Sequence, residues 1–269
     1  MKKILIVGAG AMGAAFSIPL LDNGHSVVLT EPYNFKLLKK LNSKKKYHPS
    51  LNINLPKKLK INKFSSDILN QNWDLIVIAV SSIGIDLIGK NLSKIKNKSP
   101  ILVLTKGLKL DGRNLISMSS LLRKYNKNLN ISVLKGPCLA KELAKKVKSF
   151  TVVANKNINT AKKIGKLIST NYYQTEFSRD VNGVEFLSAI KNIYSMIIGA
   201  GQWHNTSSAL FRKSIDEMKY LANYFKGKKE TVYGLAGLGD LYVSAMGGRN
   251  SKMGEYLGKG YTFTQAKKK

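Results

Sequence analysis

The chain has 269 residues, 43% of them hydrophobic, and a formal net charge of +30. That is enough apolar material for one large domain or two modest ones, and it argues against global disorder. No apolar run reaches the roughly 20 residues a membrane-spanning helix needs, so no membrane span is expected.

Cys138 is the single cysteine, which excludes an intrachain disulfide framework and fits a reducing, cytoplasmic setting. His25, His48 and His204 are scattered without ligand spacing, so no bound metal is expected. The lysines are spread among asparagines, and their densest stretch, from Lys36 to Lys63, is broken by Pro49 and Pro56. This distribution reads as solvated surface rather than a specific nucleic-acid interface. A general positive field does suit a doubly anionic phosphate substrate.

Met1-Lys2-Lys3 followed by Ile4–Val7 superficially resembles a secretion leader, but the apolar stretch runs at once into Gly8-Ala9-Gly10, so it reads as a first strand. Further strands are expected at Ser26–Thr30, Leu75–Val80, Ile101–Thr105, Ile131–Leu134 and Phe150–Ala154. Helices are expected at Met12–Asn23, Phe35–Leu41, Ile83–Leu92, Leu115–Tyr125, Ala140–Lys146 and Thr160–Ser169, with an edge strand around Tyr172–Glu176. Alternating apolar runs and helical segments imply an α/β fold, a doubly wound parallel sheet of the Rossmann type. From Val184 onward the pattern is helical. The expected organisation is a dinucleotide-binding domain over residues 1–182 and an all-α substrate domain over residues 183–269.

The first strand runs into Gly8-Ala9-Gly10-Ala11-Met12-Gly13 and then into an apolar helix. This is G-x-G-x-x-G in its meaningful context. Gly8 would make the tight turn, Gly10 would admit the pyrophosphate, and Gly13 would let helix and strand pack closely. Glu31 ends the second strand at about the offset where an acid meets the adenosine ribose. A carboxylate there favours NAD over NADP, although Lys36 or Lys39 could accommodate a phosphate.

Val184–Gly201 is apolar on nearly every helical face, with Glu185 and Lys191 as its charged residues. An ammonium near the middle of a buried helix costs several kcal/mol unless paired, and desolvation moves it toward the range useful for proton transfer. Snorkelling to solvent or a plain ion pair are the alternatives. The glycine-rich run Gly234–Asn250 carries Asp240, a natural partner for Lys191, and Arg249, whose fork suits a phosphate.

Several ordered motifs make the chain resemble the NAD-dependent glycerol-3-phosphate dehydrogenases. They are the Gly8–Gly13 turn, Tyr47–Pro56, Leu104–Leu108, Gly136–Glu142, Asp180–Glu185, Ala189–Asn192, Asn205-Thr206 with Arg212, Gly237–Leu241 and Gly247–Asn250. The resemblance implies interconversion of dihydroxyacetone phosphate and sn-glycerol 3-phosphate, supplying phospholipid synthesis, with NAD or NADP as cofactor. It also implies that Lys191 is the proton donor and acceptor, that Lys106 contacts substrate and cofactor, and that Asn192, Asp240 and Ser244 surround the reacting carbons. Gly248, Arg249 and Asn250 would form the phosphate corner. Gly136 and Cys138 would lie on a substrate-contacting loop, with Ala140 beside it facing the cofactor. Ala11, Met12 and Arg249 would add cofactor contacts. A small phosphorylated substrate and a homodimer fit this reading. Family members continue beyond the position of Lys269 through further helices, so the helical domain is expected to be incomplete. The competing readings are a ketopantoate reductase-like enzyme, sharing only the first glycine motif, and a non-catalytic NAD-binding fragment.

Overall fold

The computed structural model describes residues 1–95 and 98–269. It opens with β1 (Lys3–Val7), α1 (Ala11–Asp22), β2 (Ser26–Glu31) and α2 (Phe35–Leu41). Two short strands, β3 (Tyr47–His48) and β4 (Ile53–Asn54), then precede β5 (Lys60–Lys63), α3 (Ser66–Asn70), β6 (Leu75–Ile78), α4 (Ile85–Leu92) and β7 (Ile101–Val103). A hairpin of β8 (Leu108–Asp111) and β9 (Asn114–Ser117) leads to α5 (Met118–Tyr125), β10 (Ile131–Lys135), α6 (Ala140–Ala144), β11 (Ser149–Ala154), α7 (Ile158–Ile168) and β12 (Tyr173–Ser178). Only helical elements follow: α8 (Val181–Ala200), α9 (His204–Tyr224), a 3₁₀ turn (Lys229–Tyr233), a π-helical turn (Leu235–Gly239), α10 (Asp240–Ala245), α11 (Arg249–Gly258) and α12 (Phe263–Ala266).

Eight strands form one sheet in the order β12-β11-β10-β7-β6-β1-β2-β5. The pairs β2–β5, β1–β2, β1–β6, β6–β7, β7–β10 and β11–β12 are parallel. The side chains of Ile4–Val7 in β1 and Leu75–Ile78 in β6 are all fully buried, as expected for central strands covered on both faces. From β1 the chain goes to β2 on one side and later to β6 on the other. The carboxyl ends of β1 and β6 therefore mark a topological switch point, where open α/β sheets bind ligands.

Besides the short β3, β4 and α3, which the sequence reading did not expect, three segments depart from it instructively. Leu115–Tyr125 is not one helix. Asp111-Gly112 closes a hairpin, with Gly112 at φ +60°, and Leu115 pairs across it with Leu110. The helix starts only after Ser117, whose hydroxyl accepts from Ser120 N. Lys60–Lys63 is an unexpected strand at the sheet edge, where lysines are tolerated and an apolar alternation is not required. In α8, Ile193 and Ile197 are exposed, so this helix is not buried on every side.

The chain divides into two compact units, residues 1–134 with 138–179, and residues 135–137 with 180–269. The division falls at Asp180 rather than 182/183, because Asp180 belongs to the helical unit through its side chain. Its carboxylate accepts from Gly183 N (2.9 Å), Lys228 N (2.8 Å) and Thr231 Oγ1 (2.5 Å), capping α8 and tying it to the 3₁₀ turn.

Within the helical unit α8 and α11 cross at backbone contact. A Cβ placed on Gly254 would sit 1.9 Å from Met196 O, one on Gly199 2.1 Å from Ser251 O, and one on Gly258 2.4 Å from Ala200 O. Backbone cannot yield as a flexible side chain does, so overpacking here is costly. Gly254→Ala is expected to destabilise the helical unit by about 3 kcal/mol, seen as a lower midpoint in thermal or urea unfolding. An unchanged midpoint would contradict the close crossing.

Candidate active site

In the first unit the glycine turn follows β1 directly. Gly8 has φ +108°, and a Cβ there would lie 2.7 Å from Ala79 C, so both conformation and space require glycine. A Cβ on Gly13 would fall 1.9 Å from Gly8 O, which is how α1 comes so close to its strand. At Gly10, the N-cap of α1, an added Cβ would meet nothing within 4 Å. The helix start therefore faces open space, and α1 has no acidic residue in its first turn. Ala11 and Met12, half-buried, begin the helix. Unpaired N–H groups and the positive dipole end make this an anion site, so the residues present fit a dinucleotide pyrophosphate.

Ala9, between the first two glycines, is held on both sides. Its N–H donates to Glu31 Oε2 (2.7 Å), and its carbonyl accepts from His48 Nε2 (3.0 Å). His48 Nδ1 takes the Leu51 N–H, so Nε2 carries the proton. Glu31, 5% exposed, also accepts from Tyr33 N and Asn34 N through Oε1. The acid at the end of β2 thus fixes the turn itself, a task added to its expected place beside the ribose. Lys106 follows β7, half-buried, between Thr105, whose hydroxyl donates to Val80 O (2.7 Å), and Gly107. Cys138, the single cysteine, is half-buried, and Ala140 starts α6.

In the second unit Lys191 lies on α8, only 7% exposed. Its amine donates to Asp240 Oδ1, to Ser244 Oγ (2.7 Å) and, more weakly, to Asp240 O (3.4 Å). Asp240 is 2% exposed and begins α10 directly after the π-helical turn. A Cβ on Gly237 would approach Val232 O to 2.2 Å, so the turn packs tightly against the preceding 3₁₀ segment and fixes where the carboxylate emerges. Ser244, one turn later, accepts from Lys191 and donates to Asp240 O (2.8 Å). The pair is an ammonium and a carboxylate held together out of water, the condition under which an amine can exchange a proton with a substrate oxygen. Tyr194, one turn beyond Lys191, is no competing proton source: burial first, then its hydrogen bond to Glu217 and that carboxylate's charge, push its phenol well up.

Asn192 is exposed beside Lys191. Gly247, at φ +99°, turns the chain into α11, whose N-cap is Gly248 and whose first residues are Arg249 and Asn250, both exposed. The helical ladder begins with Lys252 N to Gly248 O (3.0 Å), leaving the amides of Arg249, Asn250 and Ser251 ahead of it. An arginine at a helix start without acidic residues in its first turn has the chemistry of a phosphate corner. Ser251 Oγ anchors this corner to α10 through Ala245 O (2.8 Å).

The expected residues fall into two sets. Gly8, Gly10, Ala11, Met12, Gly13, Glu31, Lys106, Cys138 and Ala140 belong to the sheet unit, whereas Gly136, Lys191, Asn192, Asp240, Ser244, Gly248, Arg249 and Asn250 belong to the helical unit. Lys191, Asp240 and Ser244 are in direct contact. Sequence reading passed over His48, Asp180 and Ser188. His48 lies in the Tyr47–Pro56 motif, and Asp180 heads a capping sequence. Ser188 Oγ donates to Asp240 Oδ2 (2.9 Å) and left no signal except its place one turn before Lys191. Among the described residues no group of acids, histidines and cysteine could hold a metal.

Two family models match the chain: the NAD-dependent glycerol-3-phosphate dehydrogenase N-terminus over residues 3–161 and the corresponding C-terminus over residues 180–269. An NADP(+)-dependent glycerol-3-phosphate dehydrogenase of Archaeoglobus fulgidus is 30% identical, the match covering 98% of this chain and 82% of that protein. A glycerol-3-phosphate dehydrogenase [NAD(P)+] of Francisella tularensis is 32% identical, covering 99% and 82%. The crystal structure of the Coxiella burnetii glycerol-3-phosphate dehydrogenase superposes with a TM-score of 0.87 at 27% identity, covering 99% of this chain and 83% of that one.

Replacing Glu31 by Gln leaves one acceptor oxygen for three backbone donors. Glu31→Gln is expected to weaken NADH binding roughly tenfold, measured by fluorescence titration. Affinity equal to that of the parent chain would mean that the carboxylate does not hold the turn.

Proposed function

Because the chain belongs to the NAD-dependent glycerol-3-phosphate dehydrogenase family, we propose that the Lys191–Asp240–Ser244 cluster handles the proton of that family's reaction. The activity is the NAD(P)-linked interconversion of dihydroxyacetone phosphate and sn-glycerol 3-phosphate. The nicotinamide, when bound, supplies the hydride to the ketone carbon or takes it back. Gly8, Gly10 and Gly13 give the dinucleotide its turn, with Ala11 and Met12 at the helix start. Glu31 stands at the ribose end, where its charge favours NAD over NADP, and Lys106, Ala140 and Arg249 add contacts.

During ketone reduction negative charge builds on the C2 oxygen, and Lys191 Nζ stabilises it and delivers the proton. The Asp240 carboxylate holds the amine in place. In the oxidising direction the neutral amine takes the hydroxyl proton. The 3.4 Å contact to Asp240 O is the weakest of the amine's described bonds and the one a substrate oxygen can replace at least cost. Asn192 and Ser244 border the reacting carbons, with Lys106, Gly136 and Cys138 contributing from their loops. Arg249, Asn250 and the α11 amides, with Gly248 admitting close approach, grip the phosphate and orient the ketone. The observation that carries this reading is the buried amine bonded to a buried carboxylate.

The same reading has the product feed glycerophospholipid synthesis in the cytoplasm, and a homodimer as the assembly. A single cysteine, Cys138, fits a reducing compartment, and among the described residues no helix is long and apolar enough to cross a membrane. A keto-acid reductase would present no need for the Gly247–Asn250 corner, and a panel of phosphorylated and carboxylated ketones separates the two.

Lys191→Ala is expected to lower kcat for dihydroxyacetone phosphate reduction by about 10³ while NADH still binds; turnover at the parental rate would remove Lys191 from the chemistry. Arg249→Ala is expected to raise KM for dihydroxyacetone phosphate by roughly 10- to 100-fold, read from initial rates at saturating NADH. An unaltered KM would place the phosphate elsewhere.

A further inference from the structure

Ser188 is a fully buried hydroxyl on α8. It precedes Lys191 by one turn, so both point from the same face of α8. Its Oγ donates to Asp240 Oδ2 at 2.9 Å, while the other carboxylate oxygen, Oδ1, accepts from the Lys191 amine. Asp240 is therefore gripped at both oxygens by α8, and the two donors fix the rotation of the carboxylate about its own axis.

We infer that Ser188 is a positioning residue of this site, acting on Lys191 through Asp240. Without the hydroxyl on Oδ2, more of the carboxylate's charge falls on the oxygen that faces the amine. With the hydroxyl on Oδ2, part of that charge is drawn to the far oxygen and the near one stays aimed at Nζ. The amine then holds its proton less tightly, which makes it a better donor to the C2 oxygen, and the carboxylate remains a stable anion when the proton has left. A buried hydroxyl needs a partner in any case, but an alternative within its own helix was available: Ser195 and Ser214, also on helices, donate to backbone carbonyls three or four residues earlier. Ser188 bonds the Asp240 carboxylate instead.

The elements packed against α8 bring other charges. α11 carries Arg249, Lys252 and Glu255, α9 carries Arg212, Lys213, Asp216, Glu217 and Lys219, and the 3₁₀ turn carries Lys229 and Glu230, while α8 adds buried Glu185. Asp240 is the acidic group bonded directly to the amine.

The experiment is the pH dependence of ketone reduction by the full chain with Ser188→Ala, together with Ser188→Gly, which removes the hydroxyl without adding atoms. Reduction requires the protonated amine, so its rate falls as pH rises through the amine's titration. Removing the hydroxyl tightens the amine's hold on its proton, so this alkaline limb moves up, by about one pH unit. At neutral pH kcat falls roughly tenfold, with KM for dihydroxyacetone phosphate within about twofold of the parent. In an Asp240→Asn background the same substitution adds less than about a twofold further loss. An unmoved alkaline limb in both variants overturns the inference. So does a loss of equal size in the Asp240→Asn background, which marks a packing defect. The inference rests on Lys191 as proton donor: full turnover by Lys191→Ala removes that premise, whereas an inactive Lys191→Ala beside unshifted Ser188 variants removes the role of Ser188 alone.

Discussion

A primary ammonium enclosed by protein is stable only with an anion against it, and the Lys191–Asp240 contact meets that condition at 7% and 2% exposure. Most of the helical unit can be understood as the scaffold that keeps the two groups together. Asp180 caps the helix that carries the lysine and pins it to the 3₁₀ turn. That turn packs against the π-helical turn through Gly237, and the π-helical turn hands over to α10 at Asp240. Removing either member of the pair leaves an uncompensated charge inside, so structural and chemical demands fall on the same residues.

The sheet unit uses a comparable economy at the glycine turn. Its dinucleotide motif is often described by its glycines, yet the residue between the first two is the one held hardest here. Ala9 is bonded on one side by a carboxylate from β2 and on the other by an imidazole from β3. The two contacts come from segments 22 and 39 residues away in sequence. The loop is thus pre-formed, and less ordering entropy is lost when a dinucleotide binds.

Much of this was legible before any coordinates. The continuous apolar runs of β1 and β6 announce central parallel strands, and one lysine in an apolar helix announces either a fault or a function. What escaped was set by tertiary context. The β8–β9 hairpin was hidden because Leu115 and Ile116 fit a helix as well as a strand, and only the Asp111-Gly112 turn decides between them. The edge strand Lys60–Lys63 carries no apolar alternation, since the end of a sheet does not demand one. Ser188 was invisible because a lone serine in an apolar helix looks like a tolerated small residue until its partner, 52 positions away, is placed beside it. The histidines were read only for metal-ligand spacing, and His48 proves to be a brace for the turn.

The crossing of α8 and α11 has a consequence for selectivity. Gly199, Gly254 and Gly258 let two main chains touch, so the spacing between the two helices is a property of the backbone and not of adjustable side chains. Under the proposed function, one helix bears the amine assigned to proton transfer and the other starts at the arginine assigned to the phosphate. On that reading their rigid spacing acts as a ruler laid along the substrate, suited to a ketone whose oxygen and phosphoryl group stand a fixed number of bonds apart and unsuited to a homologue with one carbon more or fewer.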